Sequence, residues 1–447
     1  MAVVRKDSGL APESEGSRLY SIITQTNLKE RMSLWNETKS IPVSRSMVWD
    51  AYKLVRANKG SAGVDGVSME TFDTNRRQHL YKLWNRMASG SYFPPPVKEV
   101  EIPKRDGKVR KLGIPTIGDR VGQMVVKQYL EARLEKIFSP NSYGYRPNKN
   151  AHQALESVRQ NCRKTDWVID LDIKGFFDNI DHGKLMQAVE KHVPESWVRL
   201  YIKRWLTMPV QTKQGNVVLK QGKGTPQGGV ISPLLANLFL HYALDKWLER
   251  HDKTVKFARY ADDAILHCHS QAHAEQTLKA LEARLRTCGL ELHPDKTKIV
   301  YCRDYRRRGK HREVKFDFLG YSFQPRTTKS KHTGKLFLGY DCAISISSRK
   351  RIADKLDELN LMSQSFKSVV GIAQMLNPMI RGWVRYYGRY RGYELNRVFH
   401  LLRKRLARWA RRRYKRYRTS INKTYQWLDR VKVQYPNLFY HWQLGYV

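Results

Sequence analysis

Two aspartates stand side by side in "FARYADDAILHC" (residues 257–268), with apolar, strand-forming runs on both sides. Side chains along a strand alternate between two faces, so "VKFARY" followed by "AILHC" predicts a β-hairpin that projects Asp262 and Asp263 from its tip. Adjacent like charges raise the cost of ionising each other, and an isolated Asp-Asp at a turn ordinarily just caps it or is solvated. A second run narrows the choice. On "WVIDLDI" (167–173), alternation sets Asp170 and Asp172 on one face and Trp167, Ile169, Leu171 and Ile173 on the other. A hairpin tip beside Asp172 would cluster acids, at a cost that only cations relieve. Two Mg2+ ions suit such a set, since hard cations take carboxylate oxygens and keep positions for water and phosphate.

Charge points the same way. Lys and Arg number 82 against 41 Asp and Glu in 447 residues, a formal charge of +41. That exceeds what solubility requires and predicts a polyanionic partner. An anionic membrane is the other partner for a basic surface, but no run of about 18 apolar residues spans one, and the N-terminus lacks a signal peptide's apolar stretch. Nucleic acid is therefore expected, in a cytoplasmic setting of bacterial type, nucleoid or ribonucleoprotein associated. The five cysteines are scattered, odd in number and never spaced as CxxC, which predicts free thiols and no structural zinc. Cys268 lies between His267 and His269, but alternation turns both histidines to the opposite face.

Strand and helix signals interleave without strict βαβ repetition, which reads as an α+β fold. The opening residues are polar and weakly patterned, a frayed arm with a short helix near Leu28–Asn36. "NKGSAGVDG" (58–66) is a glycine-rich loop, and "VKEVEIPKRDGKVRKLGIP" (97–115) predicts a hairpin with a basic tip around Asp106-Gly107. Helical spacing covers 120–138, 150–162 and 183–207, and "KGTPQGG" leads into a long helix. Beyond about residue 345 strand signals fade. Residues 381–420 then hold 15 Lys or Arg and a single acid, Glu394. Trp383, Tyr386, Tyr387, Tyr390, Trp409, Tyr414 and Tyr417 are interleaved there, as in a helical bundle with an aromatic core and an arginine face.

From about residue 50 to 420 the motifs, in order, resemble those of reverse transcriptases, most closely those encoded by group II introns. The resemblance implies a right-hand polymerase, α+β in its fingers and palm, followed by an all-helical thumb or maturase domain. The implied division is an arm at 1–43, an N-terminal extension and fingers at 44–165, and a palm with part of the fingers at 166–335. A thumb or maturase domain at 336–425 and a short tail at 426–447 complete it. "YADD" and "DIKGFF" then make Asp172, Asp262 and Asp263 catalytic ligands of two Mg2+ ions, with Asp170 and Asp178 left structural. Lys104 and Arg110 match the fingers pair that contacts the triphosphate. Phe177 would exclude a ribose 2′-hydroxyl, although "GFF" taken by itself reads as core. Gln227 and Gly228 in "TPQGG" would border the nucleotide, and Lys296 in "HPDKTK" the leaving pyrophosphate.

Tyr145 and Arg146 are implied on the template, "FDFLGYSF" on the primer, and the 58–66 loop as a template clamp. Arg381, Arg385, Arg389, Arg403, Arg411 and Arg412 are implied nucleic-acid contacts. The implied partners are group II intron RNA, an RNA template with a DNA primer, target DNA and dNTPs, with no membrane. Splicing assistance follows by resemblance alone. The chain stops at Val447 without paired CxxC cysteines, so an HNH endonuclease is not expected. Two alternatives stay open: an RNA-binding splicing cofactor with an idle polymerase, and a related reverse transcriptase used in phage defence or spacer acquisition.

Overall fold

The computed structural model describes residues 39–103, 109–219, 222–330 and 332–447. In chain order the strands are β1 (Val97–Pro103), β2 (Val109–Ile114), β3 (Trp167–Leu171), β4 (Val210–Gln211), β5 (Val217–Val218) and β6 (Lys256–Tyr260). They continue with β7 (Asp263–Cys268), β8 (Lys298–Tyr301), β9 (Phe316–Phe318), β10 (Tyr321–Lys329) and β11 (Leu336–Ile344). Two compact units share them: residues up to Phe138 with Gly175–Phe239, and Ser139–Lys174 with Leu240–Val447.

The first unit is mainly helical. Ser44 and Thr116 accept hydrogen bonds from the backbone N–H groups of Met47 and Asp119, which fixes the starts of helices Arg45–Asn58 and Ile117–Leu134. Tyr52, Trp84, Met87, Tyr201 and Trp205 fill its interior. Among them is Asp119, fully buried, which accepts from Tyr92 Oη, Trp205 Nε1 and Gln123 Nε2, each at 2.8 Å. Three donors satisfy a carboxylate that would otherwise be untenable there. Gln123 Oε1 in turn accepts from the backbone N–H groups of Val230 (2.7 Å) and Ile231 (3.2 Å), so a buried acid steadies the glycine loop through one amide.

β1 and β2 pair antiparallel from Lys98↔Ile114 to Pro103↔Val109, the hairpin that the sequence predicts. Its tip, with Lys104, lies outside the described residues, as does the short helix at Leu28–Asn36. Residues 183–207 form two helices rather than one, His182–His192 and Ser196–Leu206, because Pro194 supplies no N–H to continue the first.

In the second unit β3 lies between β7 and β8, with β6 outside β7, all antiparallel. Val168, Ala258, Ile265 and Val300 pack on helix Ala151–Cys162 and on the sheet β11-β10-β9. His267 shares that face. It is fully buried, and burial lowers its pKa to about 3, so it is a neutral core residue. All five cysteines are buried and unpaired. β10 and β11 form a long hairpin, so the boundary placed between residues 335 and 336 falls inside one supersecondary unit. The alternation in "LFLGYDCAI" continues the strand pattern past that point.

Helices Ile346–Glu358, Val369–Tyr387, Asn396–Arg413 and Ile421–Gln434 then make the basic bundle, cored by Ile372, Leu376, Phe399, Leu402 and Trp409. Residues 426–447 are not a separate tail: Trp427, Phe439 and Trp442 are buried in that same core. Their aromatic surface is too large to leave in water. No helix among the described residues is long and apolar enough to cross a membrane.

Candidate active site

The β6–β7 register pairs Tyr260 with Asp263 and leaves Ala261-Asp262 as a two-residue turn. Ala261 has φ 58°, the left-handed region that a residue with a Cβ adopts only when its surroundings enforce it. One enforcing element is the segment before Tyr145. Arg259 N donates to Asn141 O (2.9 Å) and Tyr143 N to Arg259 O (2.8 Å), so residues 141–143 run along β6. The next residue is Gly144, where a Cβ would come within 2.4 Å of Ala261 N. The glycine of "SYGYRP" is there because the Ala261-Asp262 turn occupies the space a side chain would need.

The hairpin tip and the end of β3 bring the acids together. Asp172 follows β3 directly, its carbonyl accepts from His293 N (2.8 Å), and Ile173 pairs with Leu292. Lys296 Nζ lies 3.2 Å from Asp172 Oδ2. Asp263 is pushed up to about 7, first by burial, then by the charges of Asp262 and Asp172, against an opposing Lys296. Its side chain is nonetheless exposed to solvent at the hairpin tip. Asp170 is likewise pushed up to about 7 by burial and by Asp263, Asp172 and Asp317. It is therefore a fourth acid of the cluster rather than a purely structural one, in keeping with the alternation that puts it on the face of Asp172. Among the described residues no three His, Cys, Asp or Glu groups are gathered closely enough to hold a metal ion as they stand. The donor set nevertheless fits a hard cation, being carboxylates whose mutual repulsion a cation would relieve, as Lys296 beside Asp172 and Lys298 near Asp170 do in part.

A second set lies within the first unit. Arg110 Nε donates to Gln227 Oε1 (2.7 Å), and Gln227 Nε2 donates to Asp178 Oδ2 (3.2 Å). These three, with Lys111, Lys223 and Pro226, line a cavity of about 460 Å³. Asp178, not assigned a role from sequence, thus fixes which end of the Gln227 amide faces Arg110. Phe176 is core, in contact with Phe239, whereas Phe177 is only partly buried and its carbonyl accepts from Thr225 N (2.8 Å). Gly228, at φ +122°, is required by backbone: a Cβ there would meet Gly113 O at 2.6 Å.

The remaining positions divide by their partners. Tyr145 is exposed, with its ring 6.4 Å from that of Tyr260. Arg146 Nη1 donates to Ser139 O (2.5 Å) and Ser142 O (2.7 Å), so it braces its own loop. In the bundle, Arg403 grips both oxygens of Asp429 at 2.8 Å, and Arg381 stacks over Tyr440 at 5.4 Å. Arg385 and Arg389 are exposed. Arg411 donates to Arg418 O (2.7 Å), and Arg408, Arg411, Arg412, Arg418 and Met362 surround a hollow of about 340 Å³ with no acid in its lining.

A family model described as reverse transcriptase (RNA-dependent DNA polymerase) matches residues 102–323, and one described as the group II intron maturase-specific domain matches 349–427. Protein YkfC of Escherichia coli (strain K12) is 31% identical over 297 residues, covering 57% of this chain and 77% of that protein. The group II intron-encoded protein LtrA of Lactococcus lactis is 34% identical over 238 residues, covering 53% of this chain but only 38% of LtrA. Among solved structures, a telomerase from Candida albicans aligns with 84% of this chain and 67% of its own at 12% identity and a TM-score of 0.44.

Asp170 binds its proton more tightly folded than unfolded, so its contribution to stability is greatest at low pH and is lost as pH rises from 3.8 to about 7. Asp170→Asn removes that dependence. In EDTA, the Tm of the variant relative to wild type is expected to rise across this range, and Mg2+ should narrow the gap above pH 7. A difference that is flat in pH would mean that the crowding is relieved some other way.

Proposed function

We propose that this chain, which belongs to the group II intron-encoded reverse transcriptase and maturase family, is an RNA-directed DNA polymerase that also binds intron RNA to assist its splicing and mobility. The observation that carries the polymerase reading is the meeting of Asp172, Asp262 and Asp263 at one end of the β3–β7 sheet, with Asp170 behind them and Lys296 against Asp172. Asp172, Asp262 and Asp263 are the residues that would hold two Mg2+ ions. Such ions, when bound, supply Lewis acidity to an attacking 3′-hydroxyl and to a leaving pyrophosphate.

The chain's own groups supply the rest. Lys296 is placed to exchange Asp172 for pyrophosphate oxygens, a partner of greater charge. Arg110 offers its guanidinium to a triphosphate, with the Gln227 amide oriented by Asp178. Lys104 is assigned the same task on the sequence pattern. Phe177, partly exposed where Phe176 is buried, is the candidate gate against a 2′-hydroxyl. Gly228 shapes the loop through its closeness to Gly113 and acts on the nucleotide only indirectly. Tyr145 is the better template contact of its loop, since Arg146 is spent on backbone carbonyls.

RNA binding by the bundle is assigned to Arg385, Arg389 and the hollow of Arg408, Arg411, Arg412 and Arg418, whose lining holds no carboxylate. Arg403 is neutralised by Asp429 and Arg381 is engaged with Tyr440, so both serve the bundle first.

Three outcomes test the reading. Asp262→Ala should abolish Mg2+-dependent extension of a DNA primer on an RNA template while leaving the folded chain's RNA affinity intact. Extension by that variant would remove Asp262 from the chemistry, whereas a wild type that binds RNA without extending would favour the splicing cofactor. Phe177→Ala should raise ribonucleotide incorporation relative to deoxynucleotide, and an unchanged ratio would return the ring to a packing role. Arg412→Ala should flatten the dependence of log K on log salt by about 0.7–0.9 for each phosphate left unneutralised, where Arg403→Ala leaves the slope unchanged.

A further inference from the structure

One buried charge is not used by the chemistry above. Arg259, in β6, has 0% exposure, and such a guanidinium persists only when every arm is matched. Two of its arms go to one acid: Nε donates to Asp245 Oδ1 (2.8 Å) and Nη2 to Asp245 Oδ2 (2.6 Å), and Asp245 is itself fully buried. The third arm, Nη1, donates to the carbonyl of Ala261 (3.0 Å), inside the turn that carries Asp262.

Asp245 is presented by an unusual piece of backbone. Helix Ser232–Leu240 widens into a π turn over His241–Asp245 before continuing as Lys246–His251. Single π turns inside α-helices are frequent at functional sites. His241 lies 3.9 Å from Asp245 Oδ2, but burial lowers its pKa to about 4, so near neutrality the acid's cationic partner at this spot is Arg259, at 2.6 Å, rather than the imidazole. At the other end of the same residue, Gly144 abuts Ala261 N. The left-handed peptide is thus held between a donor on its carbonyl and a wedge against its nitrogen.

We infer that Arg259, oriented by Asp245, is a positioning residue for the catalytic turn: it caps the Ala261 carbonyl and thereby fixes where Asp262 and Asp263 stand. This rests on the reading of those two aspartates as catalytic. An ion pair kept only for stability would need two arms, and the third ends on the one peptide whose conformation sets both carboxylates.

Three full-length variants separate the possibilities. Arg259→Lys keeps a cation for Asp245 but cannot reach the acid and the Ala261 carbonyl together. Arg259→Met with Asp245→Leu removes the whole pair and leaves an apolar site, an exchange that cores accept. Both should bind primer–template and dNTP within about twofold of wild type, while kcat falls by about 10- to 100-fold, the usual consequence of loosening a group that orients a ligand. In metal-free buffer, amide exchange should quicken across residues 260–263 and stay slow elsewhere in β3 and β7. Wild-type kcat in the paired variant would overturn the inference and make Arg259 a stabilising residue only. So would slow exchange at the turn, or a loss confined to thermal stability. Asp262→Asn is run alongside: full activity in that variant would mean the catalytic reading itself has failed, and the positioning role with it.

Discussion

Like-charge repulsion among four carboxylates is the constraint on which this molecule turns. Asp170 and Asp172 reach the end of β3 with the alternation of a strand, and Asp262 and Asp263 arrive from the tip of the adjoining hairpin. Nothing in strand packing rewards that meeting, and the carboxyls of Asp170 and Asp263 are pushed upward by burial first and by the neighbouring acids second. The arrangement survives because the surrounding sheet is apolar and well paired, so its stability can be drawn on where function requires strain. Lys296, 3.2 Å from Asp172, offsets part of the repulsion.

Much of the precision is held in backbone rather than side chains. Gly144 makes room for Ala261, Gly228 makes room for Gly113, and the carbonyl of Phe177 is tied to Thr225 N. Deeper still, Asp119 reaches the loop beyond Gly228 through Gln123 and two peptide N–H groups. Each restraint fixes a loop's shape from behind and leaves the residues that face a ligand free of that duty.

The legible part of the sequence was the part with a period. Alternation placed Asp170 with Asp172 and turned His267 away from Cys268, and the Asp106-Gly107 signal found the β1–β2 strands. What escaped depends on pairings between residues far apart in the chain. Arg146 has the look of a ligand-binding arginine but closes its own loop; Arg403 is indistinguishable from Arg412 until Asp429 comes beside it. Asp178 and Arg259 sit next to conspicuous motifs, yet only their partners, Gln227 and Asp245, give them work. The end of the chain reads as a tail because "PNLFYHWQLGYV" has no helical period, although its aromatic content alone argues for burial.

The position of β3 has a consequence for how the chain is made. It is a central strand, yet its partner register Trp167↔Cys268 spans about a hundred residues, and Trp167↔Tyr301 more. During synthesis at roughly 5–20 residues per second, β3 therefore emerges several seconds before β7 exists to cover it. For that interval "WVIDL" is an apolar strand with both edges open, the kind of segment that pairs with whatever reaches it first. The two aspartates that follow one another around its end, Asp170 and Asp172, put charge on the nascent strand at just that stage. They can thus act as guards against aggregation on the ribosome before they ever meet the rest of the cluster.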